Sequence, residues 1–157
     1  MSEENKAITV AFYQKCLNEG DVETAFRLYA GTTYRQHNPL IEDVRKFVTW
    51  IRDHHPDARG EIKHVFADGD YVILHSYWHG LSDNPRGEAV ADIFRLQDGK
   101  LVEHWDVIQP IPEAAANNNP MFRSERSLEY RHACGYRAER HSFAYDRNAD
   151  RSHHRRR

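Results

Sequence analysis

Asp92, His104 and Asp106 are the residues of this 157-residue chain whose types and spacing best suit proton chemistry. A carboxylate can serve as general acid or base, and an imidazole beside it can orient or relay the proton. All three lie within residues 89–108, where β-branched and aromatic runs flank Asp98-Gly99, the strongest short-range signal for a β-hairpin. Which side chains share a face depends on the turn, because a slip of one residue sends alternate positions to opposite sides of a sheet. A two-residue turn sets Gln97 opposite Lys100 and Asp92 opposite Trp105. A three-residue loop with Gly99 left-handed sets Leu96 opposite Lys100 and Asp92 opposite His104. The second is preferred, because it gathers Val90, Asp92, Phe94 and Leu96 with Val102, His104, Asp106 and Ile108. Ionisable groups on an otherwise apolar surface are paired or put to use, so this face reads as the wall of a pocket.

The preceding chain supplies elements to position that wall. Apolar residues recur with helical spacing over 3–19, and Asp21 caps a second helix over 22–29. Gly31-Thr32-Thr33 ends it, and Tyr34-Arg35-Gln36-His37-Asn38-Pro39 is too polar for a strand interior and reads as an irregular segment. A third helix starts at Glu42-Asp43 and ends before His54-His55-Pro56. Residues 61–67 and 71–79 alternate as strands about Asp68-Gly69-Asp70, and 80–87 is a loop into the hairpin. Helices first and antiparallel strands later give an α+β domain, with helices on one face of a curved sheet. Residues 113–122 are placed to close over the mouth of the resulting cone.

Composition bounds the class of protein. Residues 123–157 hold ten Arg, no Lys and five acidic residues, a net of +5 that leaves −7 on the rest of a chain of formal charge −2. This stretch shows no sustained apolar period and reads as a disordered extension to a domain over 1–122. It lacks the aromatic interleaving of a nucleic-acid module, so no specific nucleic-acid partner is expected. Cys16 and Cys134 are far apart and give neither a zinc motif nor a disulfide framework. A polar, acidic N-terminus and the lack of a membrane-length apolar run point to a cytoplasmic protein with no membrane partner.

Over residues 5–122 the chain resembles the SnoaL-like polyketide cyclases of the nuclear-transport-factor-2-like superfamily. The resemblance rests on Tyr34-Arg35-Gln36-His37-Asn38-Pro39, Ala67-Asp68-Gly69-Asp70 with His75-Ser76-Tyr77-Trp78, and Asp92-Ile93-Phe94-Arg95 followed by Asp98-Gly99-Lys100 and Glu103-His104-Trp105-Asp106. It implies a cone-shaped α+β barrel, three N-terminal helices packed on a strongly curved antiparallel sheet, and a homodimer through the sheet's outer face. It also implies that Asp106, on the last strand, is the general acid/base of an intramolecular aldol closure. The characterised cyclases carry a histidine on the preceding strand where this chain has Asp92.

Such a reaction removes a proton from a carbon flanked by carbonyls, which a carboxylate manages without metal or cofactor. The expected ligand is therefore a small, hydrophobic, carbonyl-containing compound, and isomerisation or dehydration would use the same groups. Burial should raise the pKa of Asp106, with Asp92 adding to the effect and His104 offsetting it. His37 and Tyr34 are expected over the cone mouth, donating to a developing enolate oxygen. Asn38, His75, Phe94 and Trp105 complete the set expected to touch ligand, although a satisfied core histidine explains His75 as well, and a core or dimer-interface aromatic explains Trp105. His104-x-Asp106 with a distal His37 or His75 would suit an iron site, but the two-residue signal recurs by chance, so no metal is expected. The alternative to an enzyme is a non-catalytic ligand-binding or dimerisation module on the same fold.

Overall fold

The computed structural model describes residues 2–122. The first helix, α1, runs over Ser2–Tyr13 and continues into a π-helical turn at Gln14–Asn18, which brings Cys16 inward. α2 (Val22–Tyr29) starts where the sequence places its cap, with Asp21 accepting a hydrogen bond from the Thr24 amide. α3 (Val44–His54) begins in the same way at Asp43, which accepts from the Arg45 amide. An N-cap carboxylate satisfies an amide that the helix itself leaves unpaired. Asp21→Ala should therefore cost about 1 kcal/mol, read as a lower urea midpoint at unchanged slope.

Five strands form one curved, open sheet: β1 (Ala30–Gln36), β2 (Arg59–Asp68), β3 (Tyr71–His79), β4 (Glu88–Gln97) and β5 (Lys100–Pro110), in the spatial order β1-β5-β4-β3-β2. This is the expected α+β cone. Four strands meander antiparallel, and β1 adds to the edge beside β5 in parallel. The segment expected to be irregular is thus a strand as far as Gln36. Its polarity reflects its edge position, where Thr32, Thr33 and Arg35 face solvent and polar residues discourage further pairing.

The β4–β5 hairpin differs from expectation in its turn and agrees in its faces. Gln97 pairs with Lys100 around a two-residue turn in which Asp98 and Gly99 both have positive φ, 52° and 71°. Alone, that turn would put Asp92 opposite Trp105. A bulge intervenes: Leu96 pairs with Leu101 and Arg95 with Glu103, so Val102 is one residue extra. The bulge restores the parity, and Asp92 stands opposite Asp106 while Phe94 stands opposite His104. Leu101 and Val102 are both buried, the packing that holds the extra residue in place.

The core lies between the helices and the inner face of the sheet. Phe12, Tyr13, Phe26, Val48 and Ile51 meet Leu74, Trp78, Phe94 and Leu96 there. Behind it, Trp78 Nε1 donates to Tyr13 Oη (2.5 Å), which is 2.9 Å from Ser76 Oγ. Burial, with the nearby Asp92 charge, pushes the Tyr13 hydroxyl well above its ordinary pKa. The other face of the sheet leaves Phe66, Tyr71, Ile73 and Val107 exposed. Phe122 stacks on His75 (4.8 Å) on that side, so the end of the segment expected to close the cone mouth packs away from it. Among the described residues no helix is long and apolar enough to cross a membrane. The Arg-rich extension and Cys134 lie outside the described residues.

Candidate functional site

Strand alternation delivers Asp92 and Phe94 from β4, and His104 and Asp106 from β5, to the inner face, where they line a cavity. Its empty volume is about 570 Å³ including the open mouth. The helices contribute Phe12, Cys16, Val44 and Phe47, so the wall opposite the polar cluster is apolar. A mostly apolar cleft with a few convergent polar groups is the usual form of a small-molecule site. Burial pushes the Cys16 thiol up to about 12, which leaves it protonated and inert as a nucleophile.

The polar cluster is ordered by hydrogen bonds. His104 Nε2 lies 3.0 Å from Asp92 Oδ1, and the His104 ring stacks on Phe94 with centroids 4.4 Å apart. Asp92 is 4% exposed, and its Oδ2 is buried with no hydrogen-bond partner. Asp106 accepts from Asn38 Nδ2 at 2.6 Å, and Asn38 Oδ1 is in turn held by the Leu40 amide at 2.8 Å. Two aspartates face one another across strands, an arrangement that costs energy when both are charged. Desolvation raises the pKa of Asp106 above its ordinary value, and Asp92 adds to the rise. His104 and the Asn38 hydrogen bond oppose it without cancelling it.

The structure sorts the residues named from sequence. Asp92, His104, Asp106, Phe94 and Tyr34 line the cavity, and Asn38 reaches it through Asp106. Burial raises the Tyr34 hydroxyl well above its ordinary pKa, and its ring meets Phe26 edge-on at 5.0 Å. His37 is not brought to the cavity: its ring stacks flat on Trp105 at 4.6 Å, and its Nε2 lies 3.5 Å from Glu103. Trp105 pairs with Ile93 on the outer face, and His75 lies there too, its Nδ1 3.2 Å from that of His64. Both follow from strand parity, which places them opposite to Asp92 and His104.

Sequence reasoning missed Gln36. Its side-chain amide lies 3.0 Å from His104 Nδ1, and β1 aligns the two residues directly. Once 30–36 is a strand, Tyr34 and Gln36 share one side while Arg35 and His37 share the other. Reading the segment as irregular hid that alternation.

Asp92, His104 and Asp106 also bring three donor atoms within 4.8 Å of one another, a spacing a divalent ion can bridge if each has a free lone pair. The distal histidines considered for an iron site face elsewhere, and Asp92 takes their place in the set.

The fold has counterparts among known proteins. AclR, a candidate hydroxylase from Streptomyces galilaeus, is 23% identical, with a TM-score of 0.59 over 69% of this chain and 91% of its own. A candidate polyketide cyclase from Acidithiobacillus ferrooxidans is 25% identical, with a TM-score of 0.55 over 67% of this chain and 87% of its own. IdmH from Streptomyces antibioticus, another candidate polyketide cyclase, is 20% identical, with a TM-score of 0.52 over 66% and 91%. No curated protein matches the sequence significantly. The model of the SnoaL-like domain matches residues 9–104, a span that includes Gln36, Asn38, Asp92 and His104 and stops just before Asp106. With most of the folded part matched, and the helices and sheet arranged as in these relatives, the chain belongs to the SnoaL-like family of the nuclear-transport-factor-2-like superfamily.

Proposed function

We propose that this protein is a small-molecule enzyme in which Asp106 takes and returns a proton at a carbon next to a carbonyl group. The observation that carries this reading is the asymmetry of the two aspartates. Both line the cavity, but Asp92 is buried and tied to His104, whereas Asp106 is only half-buried, accepts one amide hydrogen bond and has its pKa raised by burial. A carboxylate whose pKa is moved toward neutrality is a better general base than one left at its ordinary value. Tyr34, in the same wall, is a donor for the developing oxyanion.

The ligand is a small, hydrophobic carbonyl compound that fits an apolar slot, and the reaction is aldol closure, isomerisation or dehydration, all initiated by the same proton abstraction. Outer-face residues Phe66, at 57% exposure, and Val107, at 66%, suit a homodimer interface. The test begins with a thermal-shift screen of a carbonyl-rich library, since a ligand that binds the folded state raises the melting temperature. Each hit is then incubated in D2O and followed by proton NMR. Deuterium entering the α-carbon only when protein is present supports the enzyme. Hits that bind without exchange would move the ligand-binding module ahead.

A further inference from the structure

The side-chain amides of Gln36 and Asn38 each have their oxygen fixed by a backbone N–H, so neither can be turned end for end without loss. The Asn38 backbone amide donates to Gln36 Oε1 at 2.9 Å, just as the Leu40 amide holds Asn38 Oδ1. Gln36 must then present its NH2 group to His104 Nδ1, 3.0 Å away. An NH2 group needs a lone pair opposite it, which leaves Nδ1 unprotonated and puts the single proton of the neutral ring on Nε2. Nε2 faces Asp92 Oδ1 at 3.0 Å, which accepts. Every link from the Asn38 amide through Gln36 and His104 to Asp92 runs donor to acceptor.

A metal ion asks for the reverse. Ligation through Nε2 needs the lone pair there and the proton on Nδ1, and metal-binding histidines normally give that Nδ1 proton to a carboxylate or carbonyl. Gln36 offers a donor where an acceptor is required. We propose that Gln36 is a positioning residue that, by denying His104 Nδ1 an acceptor while Asp92 accepts from Nε2, locks the ring in the Nε2-protonated tautomer and so keeps the Asp92–His104–Asp106 cluster a site for protons and not for divalent metal. Its functional meaning rests on the acid/base reading above, but the tautomer does not. The lock assigns His104 to support Asp92 and leaves Asp106 as the carboxylate open to ligand.

A glutamate side chain at position 36 has the same shape and the opposite preference. One carboxylate oxygen can keep the Asn38 amide while the other accepts from Nδ1–H. A divalent ion can then displace the Nε2 proton and take that lone pair together with Asp92 and Asp106, completing a carboxylate–histidine–metal arrangement.

The experiment is 15N NMR of the His104 ring in the full-length protein, assigned by comparison with His104→Gln, at a pH where the imidazole is neutral. Wild type should show Nδ1 at the unprotonated position and Nε2 at the protonated one. Zinc added in stoichiometric amount should leave both signals in place, whatever it does to other histidines. In Gln36→Glu, Nδ1 should gain a proton and leave the ring protonated on both nitrogens between two carboxylates, and zinc should then displace the Nε2 proton and shift the His104 signals in a saturable, one-to-one manner. Gln36→Leu, which removes the donor and adds no acceptor, should keep the Nε2 proton that Asp92 Oδ1 accepts, so a change seen in Gln36→Glu comes from the new acceptor at Nδ1. A proton on Nδ1 in the wild type, zinc shifting wild-type His104, or a Gln36→Glu protein that keeps the wild-type tautomer would each overturn the proposal. These readouts do not depend on turnover, so absence of α-carbon exchange defeats the enzyme reading alone.

Discussion

Asp106→Asn should lower kcat for α-carbon exchange by about 10²- to 10⁴-fold, the usual contribution of a positioned general base, while the protein stays folded. The carboxamide oxygen that this substitution introduces can still accept from Asn38 Nδ2, so the hydrogen bond at 2.6 Å has a successor and the geometry of the wall is kept. The same substitution should raise thermal stability at neutral pH. Folded Asp106 holds its proton more tightly than the unfolded chain does, because burial and Asp92 disfavour its charge. As pH rises from the ordinary aspartate value of 3.8 through the raised one, this group therefore subtracts from stability, and above both values its cost is fully present. A neutral amide removes that cost, an exchange of stability for activity common at active sites. In the wild type, kcat/KM should fall as pH drops below the raised Asp106 value, where the base becomes protonated. Melting temperatures and exchange rates of both proteins across pH check these outcomes together. A variant that loses stability at neutral pH while retaining exchange would show Asp106 to be structural.

Phe94→Ala should destabilise the fold by about 3–5 kcal/mol, the range for truncating a buried aromatic, against a total of roughly 5–15 kcal/mol for a domain. Phe94 is 1% exposed, meets Phe12 edge-on at 6.0 Å and carries the His104 ring on its face. Removing it opens a cavity at the centre of the core and takes away the platform that sets the imidazole plane. Urea unfolding should show a lower midpoint with an unchanged slope. If the midpoint stays within about 1 kcal/mol of wild type, where surface substitutions fall, Phe94 is not the keystone its burial indicates.

The hairpin shows how far local pattern reaches. Alternation with period two is a property of consecutive residues, so Asp92 and Phe94 on one strand, and His104 and Asp106 on the next, were legible as groups. Helix caps are equally local, and Asp21 and Asp43 start their helices where the chain predicts. The pairing between the strands was not legible, because it depends on a bulge at Val102, and nothing near Asp98-Gly99 announces it. Leu101 and Val102 are both buried, and it is packing from elsewhere in the fold that accommodates the extra residue.

The partners of the cluster were beyond the sequence for a similar reason. A polar edge strand looks like a loop until the neighbour it pairs with is known, and β1 pairs in parallel with a strand nearly 70 residues downstream, as the bond spanning 68 residues from Gln36 to His104 shows. With β1 unseen, His37 was the natural donor to the site, and the structure gives that place to Gln36. His75 and Trp105 sit on strands predicted from sequence, yet which side of the sheet the helices cover is settled only when the chain folds over it. The residue types thus determined that a carboxylate–imidazole cluster exists and that it lies on a sheet. Tertiary structure decided which face became a pocket, which aspartate the histidine holds, and which amide holds the histidine, since each depends on contacts between residues far apart in the chain.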